Sequence, residues 1–370
     1  MMIKEGLTKL DIPKDYLKKT HFFNPKVELS RDITVLVLNS LDSKGWTVCD
    51  ALSATGARGI RIAKECNVKK VWLNDISDNN LKFMKKNTKL NSVKNKIIFS
   101  NKDANQLLSD SIRVFDYIDL DPYGSPSYFF DACARAVKRV GFIGFTATDT
   151  AALCGNSPIT CLRRYGIESY LTDFFKELGL RILMATAAFS FSKWSFSLTP
   201  VLSYASEHYF RVFCRVEKGK SIASDVLKNN LGYVNYCPKC LWRSVDKKPR
   251  EKCEFCDSKI ITIGKIWIDK IEDVEFIQKC HENLSKVNWL NTGGKIRKLL
   301  FFLKTENTPF YYDIHKVCQK HKLEIPKFDI IQDKLKELGY IANRTHFSVN
   351  GIKTDAKLGN IIEIIKKMQN

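Results

Sequence analysis

No run of 18 or more apolar residues occurs in the 370-residue chain, and no lipid-anchoring motif is present. A helical membrane span and a lipid anchor are therefore excluded as readings. The segment from Met1 to Lys19 is charged throughout and lacks the apolar core of a signal peptide, so a cytoplasmic protein is expected. Acidic side chains are scarce. Forty Asp and Glu stand against sixty Lys and Arg, giving a net charge of +20 and a pI near 9.4. Such a surplus points to a polyanionic partner, with nucleic acid the first choice, and nothing in the sequence implies a protein partner. Internal repeats and low-complexity tracts are also missing. Twelve cysteines are present, but eight are scattered singly through apolar segments and four form two tight pairs. Reduced thiols plus one metal site fit that pattern better than disulfides.

What is present centres on one stretch. Val114 to Ile118 reads as a buried strand, and it runs into Asp119-Leu120-Asp121-Pro122-Tyr123-Gly124-Ser125, where a Pro-Tyr-Gly turn stops it. Asp121 is thereby expected at the carboxyl edge of a strand, which is where open α/β sheets bind ligands. An acid, a proline and an aromatic in succession suit a planar base with an exocyclic amine. The carboxylate accepts from the amine, Pro122 has no competing N–H, and the Tyr123 ring stacks.

The residues before that motif supply a cofactor half. A first strand, Trp46 to Leu52, contains Asp50 and leads through Ser53-Ala54-Thr55-Gly56-Ala57-Arg58-Gly59 into a helix, Ile60 to Cys66. Gly56 and Gly59 are expected to let the backbone approach a ligand at the helix N-terminus. The first glycine of a G-x-G-x-x-G fingerprint is missing, which argues against a nicotinamide dinucleotide. A second strand, Lys70 to Asp75, ends in an acid 19 residues past Gly56, the usual place for a carboxylate that grips ribose hydroxyls. A third strand, Ile97 to Phe99, precedes Asp103 and Ala104, where an acid can accept from an adenine amine. Glycine turn, ribose acid, adenine acid and reactive-site acid on successive strands form the set that an S-adenosylmethionine-dependent methyltransferase needs. The expected fold is α/β, a class I methyltransferase with a doubly wound, mostly parallel seven-stranded sheet and a smaller α+β C-terminal domain.

Around this core, Ser30 is expected to cap a helix from Asp32 to Leu41. Of the adjacent rings Phe22 and Phe23, either both make core contacts or one packs inward and leaves the other free to stack on a base. After the motif come a helix from Tyr128 to Lys138, a strand from Gly141 to Thr146, and Asp149, which reads as a cap or turn acid or as a wall of the acceptor pocket. A helix from Leu162 to Leu178 and strands at Arg181 to Ala185 and Tyr209 to Val216 should complete the sheet. The alternating segment Ser190 to Ser197 reads as an edge strand.

In the C-terminal part, Cys237, Cys240, Cys253 and Cys256 form C-x2-C-x12-C-x2-C with five basic residues between the pairs. Four thiolates in two knuckles suit a closed, structural Zn2+ in a ribbon, and no His or acid in the pattern offers an open catalytic position. Gly293 to Lys298 opens a helix and binds phosphate or is simply a solvated helix start. Helical periodicity at Ile314 to His321, Phe328 to Leu338 and Ile361 to Met368, with a strand entered at Gly339-Tyr340-Ile341, suggests a winged-helix-like module. His315 and His321 read as helix-surface residues.

The strings Phe22-Phe23-Asn24-Pro25, Ser53 to Arg61, Trp72-Leu73-Asn74-Asp75-Ile76, Asp119 to Ser125, Thr148 to Gly155, Arg344 to Ser348 and Gly351 to Asp355 resemble the archaeal tRNA guanine-26 N2-dimethyltransferases over nearly the whole chain. The resemblance implies that S-adenosylmethionine is held by Arg31, Arg61, Asp75, Asp103 and Ala104, and that Asp121 is catalytic. It further implies that Phe22 and Tyr123 sandwich the guanine, and that tRNA is the partner. Tyr123 stands where the family often has Phe, and Val349 where Pro is more usual. The implied organisation is an N-terminal arm, 1–31, a catalytic domain, 32–222, and a tRNA-binding domain, 223–370, carrying the ribbon at 237–256. The residues alone leave two other readings open. One is an amino-methyltransferase acting on adenine N6 or on ribosomal guanine; the other is a non-catalytic RNA-binding protein.

Overall fold

The protein is described here by a computed structural model covering residues 1–13, 23–306 and 308–369. Among these residues no helix is long and apolar enough to cross a membrane. The chain begins with a hairpin, β1 (Met2–Glu5) and β2 (Thr8–Asp11), turned at Gly6, and then α1 (Glu28–Ser40). Ser30 lies inside α1 and does not cap it. Its carbonyl accepts from Arg58 and from Thr34 Oγ1, and the helix instead starts directly after a short 3-10 turn at Pro25–Val27.

The central sheet is built from β3 (Thr47–Asp50), α2 (Ala57–Glu65), β4 (Lys70–Asn74), α3 (Asp78–Leu90), β5 (Ile97–Ser100), α4 (Ala104–Asp110), β6 (Phe115–Leu120), α5 (Phe130–Ala136) and β7 (Val137–Ala147). It is completed by α6 (Thr150–Leu153), α7 (Pro158–Tyr165), α8 (Phe175–Lys193), β8 (Phe196–Ser206) and β9 (Tyr209–Lys218). Strand order is β5-β4-β3-β6-β7-β9-β8, parallel except where β9 runs antiparallel to both neighbours. The order reverses at β3 and β6, so their carboxyl ends open the crevice in which ligands of such sheets sit. Gly59 allows α2 to lie close on the sheet. A Cβ there would stand 2.2 Å from Leu73 Cδ2 and 3.0 Å from Asp50 Oδ2. Its role is packing, whereas Gly56, at φ 81°, makes the turn itself.

Three expectations fail in the middle of the chain. The helix expected over Leu162 to Leu178 is two helices, because Gly166 in the left-handed region closes α7. Arg181 to Ala185 is not a strand but the centre of α8, which is buried on nearly every side and so shows no amphipathic period to distinguish it from a strand. A buried Glu177–Arg181 pair at helical i,i+4 spacing is the signal that was passed over. The segment Ser190 to Ser197 is split likewise. Only from Phe196 onward is it the edge strand, the rest being the last turn of α8 and the residues after it.

Beyond the sheet lie α9 (Lys220–Asn229) and a three-stranded ribbon, β10 (Leu231–Tyr236), β11 (Arg243–Asp246) and β12 (Ile261–Trp267), ordered β11-β10-β12. Helices α10 (Val274–Asn283) and α11 (Gly293–Thr305) pack back on α1, sharing a core of Ile33, Val37, Ile277 and Leu300. The remainder is β13 (Tyr312–Asp313), α12 (Ile314–His321), α13 (Phe328–Glu337), β14 (Ala342–Arg344), β15 (Gly351–Thr354) and α14 (Leu358–Lys367). With α11 as first helix and an antiparallel β13-β15-β14 sheet, this is the winged-helix arrangement, the wing being residues 345–350. One apolar core runs unbroken from Ile118 and Phe145 of the large sheet through Val234 and Trp267 of the ribbon to Ile352 and Ile365.

Candidate active site and metal centre

The crevice at the β3 and β6 carboxyl ends is lined from four directions. The turn after β3 contributes Asp50, Ser53 to Thr55 and Arg58; the turn after β6 contributes Asp121, Pro122 and Tyr123. Thr146, Thr148 and Tyr209 close one side, and Phe23, Asn24, Val27 and Arg31 the other. The Asp121 turn is pinned in place. Gly124, at φ 93°, donates to Thr148 Oγ1 (2.7 Å) and accepts from the Thr148 amide (2.9 Å). Pro122 is buried, and Tyr123 stands 84% exposed at the mouth.

Beneath the crevice is a buried charge cluster. Arg58 makes a short ion pair with Asp121 Oδ2, approaches Asp119 Oδ1 at 3.3 Å, and is itself held by Thr34 Oγ1 at 2.6 Å. Arg211, fully buried on β9, pairs with Asp119 and donates to Thr146 Oγ1 (3.0 Å). Tyr117 donates to Asp119 at 2.5 Å. Three carboxylates thus face two guanidinium groups, one negative charge too many. Burial, with Asp119 adding repulsion, pushes the Asp50 carboxyl up to about 7, so Asp50 is the member of the set that most readily takes up a proton and relieves the excess. Burial also raises Asp121, but Arg58 and then Arg211 outweigh it and hold the group below the usual carboxylate range. Asp121 is 23% exposed, and so remains within reach of a ligand.

The other residues expected to hold a cofactor fall into two groups. Arg31 lines the crevice, its guanidinium 4.8 Å above the buried Phe23 ring and bound to Glu5 of the hairpin (Nε to Oε2, 2.7 Å). Phe23 is thus the inward-packing ring; Phe22 lies outside the described residues. Asp75 follows β4 and accepts from the amides of Ala54 and Ser77, both at 2.9 Å, which ties the glycine turn to the end of β4. Asp103 is exposed and caps α4 through Oδ1, with Ala104 buried behind it. Gly56 is the turn residue. Arg61 stands apart: it does not line the crevice, and its fully buried guanidinium meets Asp32 (2.6 Å), Glu65 (2.9 Å) and Glu5 (3.6 Å). Asp149 precedes α6 but makes no cap bond, accepting instead from Arg164 (3.0 Å) and Tyr165 (2.5 Å).

Sequence reasoning passed over Arg58, Arg211 and Asp119 as site residues. A signal existed for the last two. Tyr117 and Asp119 share one face of β6, with Asp121 two residues on just past its end, and Arg211 interrupts the buried apolar run Tyr209 to Cys214, a pattern that requires a buried ion partner.

In the ribbon the four cysteine sulfurs lie within 4.8 Å of one another, with Cys237–Cys256 at 3.6 Å and Cys240–Cys253 at 3.5 Å. Metal–thiolate bonds of about 2.3 Å in a tetrahedron place sulfurs roughly 3.8 Å apart, so the set can hold a metal ion. Both knuckles have the same shape. The first cysteine accepts from residue +4 (Leu241, 2.8 Å; Asp257, 3.0 Å), and that residue has positive φ in each. His321 reaches in from α12, its Nε2 at 2.9 Å from the Cys240 carbonyl, so it is not merely a surface residue.

Sheet order, the glycine turn and the acids at successive strand ends define a class I S-adenosylmethionine-dependent methyltransferase. Matching over residues 6–366 the family model for N2,N2-dimethylguanosine tRNA methyltransferase, the chain belongs to that family. It is 36% identical to the tRNA (guanine(26)-N(2))-dimethyltransferase of Methanobrevibacter smithii across 100% of this chain and 97% of that one. The enzyme of the same description from Thermococcus kodakarensis is also 36% identical, with 99% of each covered. A solved structure of Trm1 from Pyrococcus horikoshii in complex with S-adenosyl-L-methionine superposes with a TM-score of 0.91 at 36% identity, covering 99% of both chains.

Proposed function

We propose that the protein transfers methyl groups from S-adenosylmethionine to the exocyclic N2 of guanine 26 in tRNA, giving N2-methyl- and then N2,N2-dimethylguanosine in the cytoplasm. The observation that carries the site assignment is Asp121-Pro122-Tyr123 at the end of β6, with the Asp121 carboxylate kept ionised by Arg58. S-adenosylmethionine supplies an electrophilic methyl on a sulfonium; the protein's task is to set N2 in line with it. Asp121 accepts an N–H of the amine, which orients its lone pair and stabilises the positive charge that builds on nitrogen. It then takes up the proton, directly or through water. Tyr123 supplies a stacking face that offsets the few kcal/mol needed to bring the base out of its stem, and Phe22 is the second face of the sandwich.

Asp75 and Asp103 are the acids for ribose and adenine, Asp50, Gly56 and Ala104 border the same cofactor, and Arg31 guards its mouth. Arg61 acts at one remove, by fixing α1 against α2 through Asp32. The four thiolates hold structural Zn2+. Residues 32–222 are the catalytic unit, the segment before it belongs to the substrate site, and 223–370 carries tRNA. Replacing Asp121 by Ala or Asn is expected to lower single-turnover methylation at least a hundredfold while calorimetric S-adenosylmethionine affinity stays within a few-fold of wild type. Near-normal turnover in both variants would overturn the assignment.

A further inference from the structure

A second groove lies between the sheet domain and the winged helix, and its lining carries basic residues without an acid. Lys295, Lys298 and Phe302 stand at i, i+3 and i+7 on α11, so they line one stripe of that helix, facing β8 and the wing. Arg344, from β14, completes the lining, and no Asp or Glu takes part in it. Some lysines are tied to carboxylates, as in Lys86–Asp11, Lys138–Asp116 and Lys334–Glu337. Among the described residues Lys295 and Lys298 have no such ion pair, and both are exposed.

The groove is also preformed. Glu306 accepts from the His346 amide (2.6 Å), from His346 Nδ1 (2.8 Å) and from Thr345 Oγ1 (2.9 Å), while His346 Nε2 accepts from the Ala205 amide at 3.2 Å. One buried carboxylate thereby fixes the wing to the end of β8. Arg344 is held over the Phe328 ring at 4.2 Å and paired with Asp329 at 2.6 Å, and Val349 stands 85% exposed on the wing. The floor continues toward the crevice. Ser206 lines the groove and Tyr209, across the β8–β9 turn, lines the crevice; Leu29 and Val27 stand in the same relation on the other side. By contrast α13, the third helix of the winged module, sets Asp329, Asp333 and Glu337 against Lys334 and Lys336, and is a poor surface for a polyanion.

We infer that this interdomain groove binds the phosphodiester backbone of the tRNA through Lys295, Lys298 and Arg344, and leads the strand bearing the target guanine over the β8–β9 turn into the crevice. The inference rests on the reading that tRNA is the substrate. Backbone contacts of this kind release counterions, so they appear as salt dependence of affinity.

The test compares wild type, K295E/K298E, and a control, K85E/K89E, which changes net charge equally on the exposed face of α3. An unmodified tRNA transcript is titrated at several salt concentrations, its methylation is followed, and S-adenosylmethionine binding and Tm report on folding. K295E/K298E is expected to raise KM and Kd for tRNA at least tenfold, to leave kcat within about twofold, and to flatten the slope of log Kd against log salt by about two. The control should stay near wild type. Unchanged tRNA affinity and slope in K295E/K298E, or an equal loss in the control, overturns the inference. If wild type binds tRNA but methylates none, the functional reading fails, while the binding series still judges the groove.

Discussion

At the scale of single residues, the proposed chemistry turns on how Asp121 is kept charged. Burial would push its proton affinity up. Arg58 and Arg211 reverse that, and Asp50 absorbs the remaining imbalance by titrating near 7. In the proposed mechanism the ionised form of Asp121 is the working one, so activity is expected to be lost as pH falls through its lowered pKa. Arg58→Gln removes the nearer guanidinium, raises that pKa, and should move the acidic limb of the kcat/KM profile to higher pH. A purely structural role for Arg58 would lower activity at every pH and leave the limb in place. Asp121 itself was legible, because acid, proline and aromatic adjoin in sequence. The pairing was not, since Arg58 lies 63 residues before it and Arg211 is 92 residues from Asp119, and although Asp119 and Arg211 each carry a local signal, no local pattern joins one to the other.

At the scale of elements, legibility followed exposure. Strands β3 to β6 were readable because short apolar runs end in turn residues and acids, and α12 to α14 because each shows one wet and one dry face. α8 was not, since a helix buried nearly all round carries no period. The β1–β2 hairpin went unseen too. It is short, and its worth lies in tertiary bonds, with Glu5 meeting Arg31 and Arg61, and Thr8 meeting Glu65 at 2.8 Å. The ribbon is the opposite case, announced by four cysteines and realised as two matching knuckles. Here the expected result is one zinc ion per chain by native mass spectrometry. Cys253→Ser should lose the metal and lower Tm, because β10 and β11 are joined through a knuckle and α12 is tied to it by His321. Full metal-free stability would show that the sulfurs merely pack together.

At the scale of the molecule, sheet, ribbon and winged helix share one core and are locked by buried charge. Lys353 of β15 reaches Glu177 of α8 at 2.8 Å across 176 residues of sequence, and Arg243 of the ribbon meets Asp173 at 2.7 Å. The net charge of +20 signalled a polyanion from composition alone, but not where it lies. The fold supplies the candidate place, a groove lined by Lys295 and Lys298 of α11, which make no ion pair among the described residues, next to the β8–β9 turn. The measurement that tests the central claim most directly is to incubate the protein with S-adenosylmethionine and an unmodified tRNA transcript, then map the methylated nucleoside by mass spectrometry. N2,N2-dimethylguanosine at position 26, between the D and anticodon stems, is the predicted result. Methyl groups on adenine, or on other RNA only, would contradict it.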